Sequence, residues 1–564
     1  MGVLRRYVPI LAWLPAYDRK WLASDAVAGP SVWALLVPQC LAYATLAGVP
    51  VQYGLYTAFA ALLAYPLFGT SRQLVQGPSA AVCAVSAAVI TPLVGASALG
   101  TTKAVGYTAA LALATGAVYI ALGLLRMGWV STFLSKAVMS GFVLGFAIGI
   151  VIDQSDALLG VPAVDGTYAE KLWGTIEEIP DISLTPLAVG AASLGLLLVM
   201  RRFLPRWPRM LIVVALAIGA SSALDLADNG VAITGDVPTG LFSVGLPDVG
   251  WSETTALLTG ALSIVFVGYS ESLAAARSMA RKHQYEIDTD QELIAQGVAC
   301  GAAGLVGGFA SDGSLSKTSV ADTAGQRSQM ASLINAGFIL LTMLFIAGLF
   351  KTLPGATLGA VVIDAMIGLI TLREFKRYYA VNRPDWIFFM GAGLGILFFG
   401  IIQGIVIGVV LSLLLLIWRS SRTSIRELRR DAASGLYHDA ARHEALDAVP
   451  GVLVARVDGP LFFADADRFR ARMRELAHAD PSAKAIVIDA TAIHLSDTDG
   501  ADIIVQVAEE LAANDVSLSF VDVHPPVLAL WRRAGVFDAV GDDCVYETVG
   551  AAVEAVERRA GTPA

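Results

Sequence analysis

Fourteen apolar segments between residues 30 and 418 constrain the fold of this chain most strongly. The composition is 56% hydrophobic and only 15% charged, which is more apolar surface than the core of a soluble protein needs. Most of the segments approach the ~20 residues of a helix that crosses a bilayer. We therefore predict a polytopic α-helical membrane protein. The predicted spans lie near residues 30–47, 52–68, 78–95, 104–125, 136–153, 184–200, 210–225, 255–276, 290–308, 314–324, 330–350, 354–372, 385–401 and 402–418.

A different composition begins near Arg419, where charged residues become frequent and apolar segments become too short to cross a bilayer. From about residue 450 strand-like stretches such as VLVARVDG and KAIVIDA alternate with helix-like stretches such as DADRFRARMRELAH. This alternation predicts a small α/β domain. The predicted division is an N-terminal segment (1–25), a membrane domain (26–419), a linker (420–449) and the α/β domain (450–560).

Loop charges indicate how the membrane domain is oriented. If fourteen crossings alternate, the basic clusters fall on one side and the acidic loops on the other, which places both termini in the cytoplasm. The N-terminus lacks an apolar core followed by a small-residue cleavage site, so we expect no cleaved signal peptide. The expected location is the plasma (inner) membrane, crossed many times. The basic clusters include Arg19, Lys20, Arg201, Arg202, Arg209, Arg373, Lys376, Arg377 and Arg383.

Several classes of protein are disfavoured. The four cysteines show no metal-ligand or redox spacing, and the six histidines lie outside the apolar segments. The chain lacks a nucleotide-binding P-loop, an HExxH motif and a nucleophile elbow. We therefore expect neither an enzyme nor a metal or cofactor site, and no nucleic-acid partner.

Two segments, the third and the tenth, are shorter than the others and start at Gly77-Pro78 and Gly313-Ser314. Their starts are 236 residues apart, and nearly the same offset, 232 residues, relates Gln39 in the first segment to Glu271 in the eighth. An odd number of spans per half gives the two halves opposite topology. We therefore predict 7+7 inverted repeats with a binding site at the membrane midplane, between two half-helices.

The tract GGFASDGSLSKTSVADTAGQ contains the second half-helix and places Lys317 in its first turn. Helix N-termini carry unpaired N–H groups and the positive end of the helix dipole, so two facing half-helices favour an anion between them. Lys317 adds a positive charge, and Ser314 and Ser316 add hydroxyl groups. Alternatively, Lys317 extends to water or pairs with an acid.

Three further residues point into the predicted site. Glu271 is the only carboxylate well inside the eighth span, and an ionisable residue at that depth indicates function, although it could instead be a structural partner of Lys317. In LLVPQCLAYA, Pro38 is predicted to break the first helix and expose Gln39, with Tyr43 one turn further on the same face. Core packing is an equal alternative for Tyr43.

These stretches resemble the SulP family of anion permeases, from VPQCLAYATLAGVPVQYGLY through YSESLAAARSMARKHQYEIDTDQELIAQGVA to GGFASDGSLSKTSVADTAGQ. The resemblance implies a core domain and a gate domain built from intertwined repeats, with an anion between the N-termini of spans 3 and 10. Many members have Arg where this chain has Lys317, which removes a bidentate fork. The pocket residues implied by the resemblance are Gln39, Tyr43, Ser79, Ala80, Glu271, Ser314, Leu315, Ser316 and Lys317.

The C-terminal segment resembles the STAS domain of SulP proteins, with Asp489 ending the central strand and SDTDGADI at the next helix start. In free STAS regulators a serine just before this glycine accepts phosphate, whereas this chain has Asp499 there and Thr498 beside it. A carboxylate is stabilised at a helix N-terminus. These two residues are candidate regulatory positions. The alternative is a domain that only supports assembly.

The resemblance implies a secondary active transporter of a small inorganic oxyanion, sulfate or bicarbonate, that works by an elevator-like movement. We expect proton coupling at Glu271, a lipid bilayer around the protein and a homodimer. Sodium-coupled bicarbonate transport, proton-coupled dicarboxylate transport and a chloride channel or exchanger of the same fold remain as alternatives.

Overall fold

A computed structural model describes residues 7–129, 135–162, 164, 166–205, 207–250, 253–370, 372–420, 424–442 and 446–559. Residues 1–6 of the predicted N-terminal segment, and 421–423 and 443–445 of the predicted linker, lie outside the described residues. The chain divides into two compact units, Met1–Ser412 and Leu413–Ala564. Each unit is described by itself.

Fourteen helices of the described chain coincide with the fourteen predicted spans. Seven stretches within the described residues are long and apolar enough to cross a membrane by length and composition, among them Thr102–Leu124 and Thr254–His283. The helices are α1 (Leu22–Leu46), α2 (Gln52–Phe68), α3 (Ala80–Val94), α4 (Thr102–Leu124), α5 (Lys136–Asp153), α6 (Leu184–Phe203), α7 (Arg209–Ala223), α8 (Thr254–His283), α9 (Thr289–Leu305), α10 (Leu315–Thr323), α11 (Met330–Leu341), α12 (Gly355–Leu369), α13 (Arg383–Phe399) and α14 (Ile401–Ser420).

Helix α1 corrects the prediction that Pro38 breaks the first span. The helix continues from Leu22 to Leu46 through both Pro30 and Pro38. A proline inside a helix removes one N–H donor, but its fixed φ is itself helical, and packing against neighbouring helices in a membrane protein can compensate for the lost bond. Gln39 nevertheless lies buried, on an intact helix.

Helix packing reveals the internal symmetry of the membrane domain. Helix α9 packs on α4 as α2 packs on α11, and α13 packs on α5 as α6 packs on α12. In the same way, α10 contacts α1 as α3 contacts α8. In each comparison the two helix pairs are related by a shift of seven helices. Adding seven to the lower helix number of the first pair and subtracting seven from the higher number gives the second pair. The domain is therefore two intertwined seven-helix repeats, with a core (α1–α4 and α8–α11) and a gate (α5–α7 and α12–α14).

Glycines allow the closest helix pairs to form. A Cβ placed on Gly141 of α5 would lie 1.9 Å from the carbonyl oxygen of Phe389 in α13. One turn later, a Cβ on Gly145 would lie 2.3 Å from the carbonyl oxygen of Gly393. Small residues let helix backbones approach closely within a membrane. The α5–α13 contact in the gate depends on these glycines.

Glu292, near the start of α9, holds the segment that leads into the third span. Its buried carboxylate accepts hydrogen bonds from the Tyr65 hydroxyl at 2.7 Å and from the backbone N–H groups of Thr70 at 2.7 Å and Ser71 at 3.0 Å. Several donors therefore satisfy this buried charge, as the cost of its desolvation requires. The segment that follows α2 is fixed, and with it the position of α3.

Two short strands lie in the first unit, β1 (Gln76–Gly77) and β2 (Asp312–Gly313). The elements of the second unit are β3 (Ile425–Arg430), β4 (Tyr437–Asp439), β5 (Val452–Val457), α15 (Ala466–Ala479), β6 (Ala485–Asp489), α16 (Thr498–Ala512), β7 (Ser517–Val521), α17 (Pro525–Arg533), α18 (Val536–Val540), β8 (Val545–Tyr546) and α19 (Val549–Arg559). Its strands form a six-stranded sheet with the order β4-β3-β5-β6-β7-β8. Strands β5 to β8 are parallel, and β3 is antiparallel to both of its neighbours.

This sheet confirms the predicted α/β domain but corrects its boundary. Strands β3 and β4 lie within residues 420–449, which the sequence analysis assigned to a linker. Strand β3 reads IRELRR, and only Leu428 is fully buried, so apolar periodicity does not reveal it. Its pairing with β5 makes the segment part of the domain.

Candidate functional site

The two half-helices α3 and α10 begin beside each other. The strands that precede them, β1 (Gln76–Gly77) and β2 (Asp312–Gly313), pair antiparallel, with Gly77 opposite Asp312. Ser79 caps α3 by accepting a hydrogen bond from the N–H of Val82, and Ser314 caps α10 by accepting one from the N–H of Lys317, each at 3.5 Å. Two positive helix ends therefore meet where the sequence predicted them.

A cavity of about 360 Å³ opens at this meeting point, between the core and the gate. Seven of the nine predicted site residues line it. From the core come one amide, one phenol, one carboxylate and three serine hydroxyls, and the hydroxyl oxygens of Ser314 and Ser316 are 3.3 Å apart. This wall offers many hydrogen-bond donors to an anion. The seven residues are Gln39, Tyr43, Ser79, Ala80, Glu271, Ser314 and Ser316.

Lys317 and Leu315 do not line the cavity, which corrects their expected placement. Lys317 is only 1% exposed, and its ammonium donates hydrogen bonds to the carbonyl oxygens of Pro78 at 2.8 Å and Asp312 at 3.3 Å. Leu315 is exposed and is not among the residues that line the cavity. The backbone around β1 and β2 leaves carbonyl groups that need a donor, and the lysine supplies it. Its charge therefore reaches the cavity only through space.

Asp312 is a buried acid that the sequence analysis overlooked. It is fully buried in β2, and neither carboxylate oxygen makes a hydrogen bond within 3.5 Å among the described residues, although the side chains of Ser79 and Glu271 approach it. A Cβ on Gly268 would lie 3.5 Å from the Cβ of Asp312, so this side chain packs against the turn of α8 that precedes Glu271. The sequence does contain a signal for this acid, because Asp312 lies two residues before Ser314 in the same polar tract.

The gate supplies a second group of charges on the opposite wall of the cavity. Arg209 donates from Nε and Nη2 to one oxygen of the buried Asp364, at 3.1 and 3.0 Å. The Nη1 atom of Arg201 lies 3.7 Å from the other oxygen. All three residues line the cavity. From the sequence both arginines were interpreted only as markers of orientation. Two guanidinium groups that face one carboxylate leave an excess of positive charge.

The candidate regulatory residues of the second unit lie at the start of α16. Asp497 caps the helix by accepting a hydrogen bond from the N–H of Gly500 at 2.8 Å, and Thr498 and Asp499 follow it, exposed in the first turn. A Cβ on Gly500 would lie 2.2 Å from the carbonyl oxygen of Leu461, so the helix begins in close contact with the preceding loop. Both candidate side chains are accessible in this unit.

Comparison with known proteins identifies the family. The model of the sulfate permease family matches residues 22–392, more than half of the chain. The chain belongs to the sulfate permease family. A STAS domain model also matches residues 445–552 of this family member. The resemblance expected from the sequence and the expected combination of domains are therefore confirmed.

The similarity of this sulfate permease family member to individual relatives covers most of its length. A probable sulfate transporter of Mycobacterium tuberculosis (strain CDC 1551 / Oshkosh) is 32% identical over 545 residues, which cover 96% of this chain and 97% of the relative. Prestin of Tursiops truncatus is 28% identical over 510 residues, which cover 85% of this chain and 68% of prestin.

Solved structures share the fold. The murine Slc26a9 anion transporter in the inward-facing state matches with a TM-score of 0.92 and 23% identity, over 99% of this chain and 95% of that one. The transmembrane domain of the cyanobacterial bicarbonate transporter BicA matches with a TM-score of 0.62 and 22% identity, over 70% of this chain and 98% of that one. The fold matches and the family models together confirm a polytopic helical membrane protein with a STAS domain at its C-terminus.

Proposed function

We propose that this protein is a secondary active transporter of a small inorganic oxyanion, sulfate or bicarbonate. The observation that carries the proposal is the cavity at the paired N-termini of α3 and α10, with the hydroxyls of Ser79, Ser314 and Ser316 on its wall. Backbone N–H groups and dipole ends favour an anion there, and serine hydroxyls can hydrogen-bond its oxygens. The sulfate transporters among the relatives support this substrate class.

The movement that we propose is a displacement of the core against the gate. Support comes from the two walls of the cavity, since α1, α3, α8 and α10 of the core face α6, α7 and α12 of the gate. An anion held on the core wall would travel with the core, as in an elevator. The fold-level match to an inward-facing transporter is consistent with this arrangement.

We further propose that the coupling ion is a proton and that Glu271 binds it. Glu271 lies on the cavity wall, beside both serine-capped helix ends, so it can exchange a proton with water in the cavity. A negative carboxylate repels an incoming anion, whereas a neutral carboxyl group does not. A proton and an anion would then bind together. Sodium coupling is the competing case, in which Glu271 would help to bind the cation.

A dicarboxylate is the second candidate substrate, and the size of the cavity favours it. The volume of about 360 Å³ falls in the range of about 300–1,000 Å³ that is typical of small-molecule pockets, so it leaves room beyond an inorganic oxyanion. The arginines of the gate wall would face the second carboxylate.

The cellular setting belongs to the same proposal. We place the protein as a homodimer in the plasma (inner) membrane with both termini in the cytoplasm, supported by the basic loops on one side of the predicted topology. The domain formed by residues 424–559 then lies in the cytoplasm. We propose that it mainly supports assembly, with Thr498 and Asp499 as the positions through which regulation would act.

Uptake by purified protein in liposomes tests the function. Sulfate, bicarbonate, chloride and succinate are compared while proton and sodium gradients are imposed separately. We expect saturable sulfate or bicarbonate accumulation that follows the proton gradient, and exchange without accumulation in Glu271→Gln, which mimics the protonated state. A sodium requirement at every pH, an unsaturable conductance, or proton-driven accumulation that survives in Glu271→Gln would each contradict the proposal.

A further inference from the structure

Asp312 is a carboxyl group that the proposed mechanism leaves unused. It is fully buried, its two oxygens make no hydrogen bond within 3.5 Å among the described residues, and the polar side chains that approach it are those of Ser79 and Glu271. The buried acids Glu292 and Asp364 differ, because both receive hydrogen bonds. A buried carboxylate without close hydrogen-bond donors is costly to keep ionised, whereas the neutral acid is much less costly to bury. This environment therefore suits a group whose charge changes.

Within the described part of the chain, the titratable groups that face Asp312 come from α1, α3, α4, α8, α9 and α10, and only one of them is a cation. Lys317 faces it from α10 and Glu271 from α8, while the other titratable neighbours are cysteines and tyrosines, which are neutral at ordinary pH. Lys317 directs its hydrogen bonds to the Pro78 and Asp312 carbonyl groups rather than to either acid. The neutral neighbours are Tyr43 of α1, Cys83 of α3, Tyr119 of α4 and Cys300 of α9.

This arrangement fixes the charge of the cluster formed by Asp312, Glu271 and Lys317. With both acids ionised and Lys317 protonated, the cluster carries one net negative charge beside the anion cavity. One proton makes it neutral. Because Glu271 lines the cavity and Asp312 is fully buried and does not line it, the two acids differ in access to water.

We propose that Asp312 is the second carboxyl group of a proton-sharing pair with Glu271, and that one proton held by this pair accompanies each anion. The proton passes from cavity water to a carboxylate oxygen of Glu271 and is shared with Asp312, while Lys317 keeps its own proton. When the anion leaves, the proton returns to water by the same route. This inference rests on the proposed proton coupling. It differs from a mechanism in which Asp312 is a permanent counter-charge of Lys317 and Glu271 titrates alone.

Proton counting on the full-length protein tests the pair. Sulfate binding to detergent-purified protein is measured by calorimetry between pH 5 and 9, in buffers with different ionisation enthalpies, so that protons bound per sulfate are obtained directly. For the wild type we expect an uptake of about one proton per sulfate at pH values where the sulfate-free pair has lost its proton, and over the same pH values an affinity that falls about tenfold per pH unit. In Asp312→Asn the remaining acid and Lys317 already balance, so we expect proton uptake near zero and a flat affinity profile.

Two companion variants complete the test. Asp312→Thr is a second neutral variant and should behave like Asp312→Asn, whereas Asp312→Glu keeps the carboxyl group and should keep the proton uptake. Undiminished proton uptake in either folded neutral variant would overturn the inference. Failure of both neutral variants to fold would also overturn it, because a group that becomes neutral in each cycle must tolerate its neutral form.

The outcome is separable from that of the proposed function. If the wild type binds sulfate with proton uptake but does not accumulate it in liposomes, the transport proposal fails and the pair stands. If the wild type accumulates sulfate in response to a proton gradient and Asp312→Asn does so with the same proton-to-sulfate ratio, the pair fails and transport stands.

Discussion

The ammonium of Lys317 lies 2.8 Å from the carbonyl oxygen of Pro78, although 239 residues separate them in the chain. This bond joins the start of one half-helix to the residue that precedes the other. It links the two inverted repeats beside the paired strands β1 and β2. Lys317 therefore contributes to the site in two ways, by holding the helix ends together and by placing a positive charge behind the cavity wall.

We expect Lys317→Met to weaken anion affinity by about 1–3 kcal/mol, because a buried carbonyl loses its donor and two nearby carboxyl groups lose their only cation among the described neighbours. Sulfate affinity of the purified variant measures the loss. Lys317→Arg is the matched control, since it retains the charge and donors. A folded Lys317→Met protein with wild-type affinity would remove Lys317 from the site.

Spacing along the sequence located the half-helices and most of the site, for physical reasons. A helix that begins inside a membrane needs a polar start, and the paired starts at Ser79 and Ser314 stand out in an apolar chain. Spacing could not determine where the side chain of Lys317 would point. That direction depends on carbonyl groups of β1 and β2, which become neighbours only after folding.

The gate wall escaped prediction for a similar reason. Arg201 and Arg209 look like ordinary basic loop residues, and their partner Asp364 lies 163 and 155 residues further along the chain. Only the packing of α6 and α7 against α12 brings them together. Pro38 illustrates the opposite error, because a residue that disrupts isolated helices is tolerated inside a packed membrane helix.

Replacing Asp364 with Asn should raise apparent sulfate affinity severalfold, because two guanidinium groups on the cavity wall lose their carboxylate partner and become available to the anion. Arg209→Gln should have the opposite effect on affinity. It should also destabilise the protein, because the buried carboxylate of Asp364 loses its main hydrogen-bond donor. Breaking a buried pair costs up to about 3–5 kcal/mol, and less is expected here because Arg209 is 25% exposed. Sulfate titrations and thermal unfolding in detergent measure both effects, and equal affinities in the two variants would argue against a role for this cluster in binding.

Gly141→Ala should destabilise the gate by about 1–3 kcal/mol or more, because the new methyl group would lie 1.9 Å from a backbone oxygen of α13 that cannot move alone. Gly219→Ala in α7 is the control, because a Cβ there meets no heavy atom within 4 Å. Alanine is favoured over glycine in a helix, so the control should be neutral or slightly stabilising. Melting temperatures in the same detergent compare the two, and similar values would show that α5 and α13 do not need this close contact.

Deleting the chain after Ser420 should reduce dimer content or abundance in the membrane more than it changes anion affinity, if the C-terminal domain mainly supports assembly. The cut spares α14 and removes the whole sheet, including β3 and β4. Cross-linking and sulfate affinity are measured on the same preparation. A truncated protein that remains dimeric but binds sulfate severalfold differently would favour regulation instead, and Asp499→Ser would then be the next variant to examine.

The pH dependence of the C-terminal domain should reveal the ion pair between α15 and α16. Glu510 accepts hydrogen bonds from Arg474 Nε at 2.7 Å and Nη2 at 2.9 Å, and also from Arg470. The hydrogen bonds from Arg474 and then Arg470 lower the pKa of Glu510 to about 2. In the unfolded chain a glutamate has a pKa near ~4.3.

A carboxyl group whose pKa is lower in the folded protein than in the unfolded chain stabilises the fold at pH values above its unfolded pKa. This stabilisation is lost as the pH falls toward its folded pKa. We therefore expect Glu510→Gln to lower the melting temperature of the domain (residues 424–559) at pH 7, with the difference from the wild type shrinking between about pH 4 and pH 2. Glu509→Gln is the matched control, because Glu509 is its exposed neighbour and should show no comparable pH-dependent difference. Melting curves of the three proteins across this pH range decide the matter. A Glu510→Gln difference that stays constant from pH 7 to pH 2 would mean that lost packing, rather than lost charge, accounts for the effect.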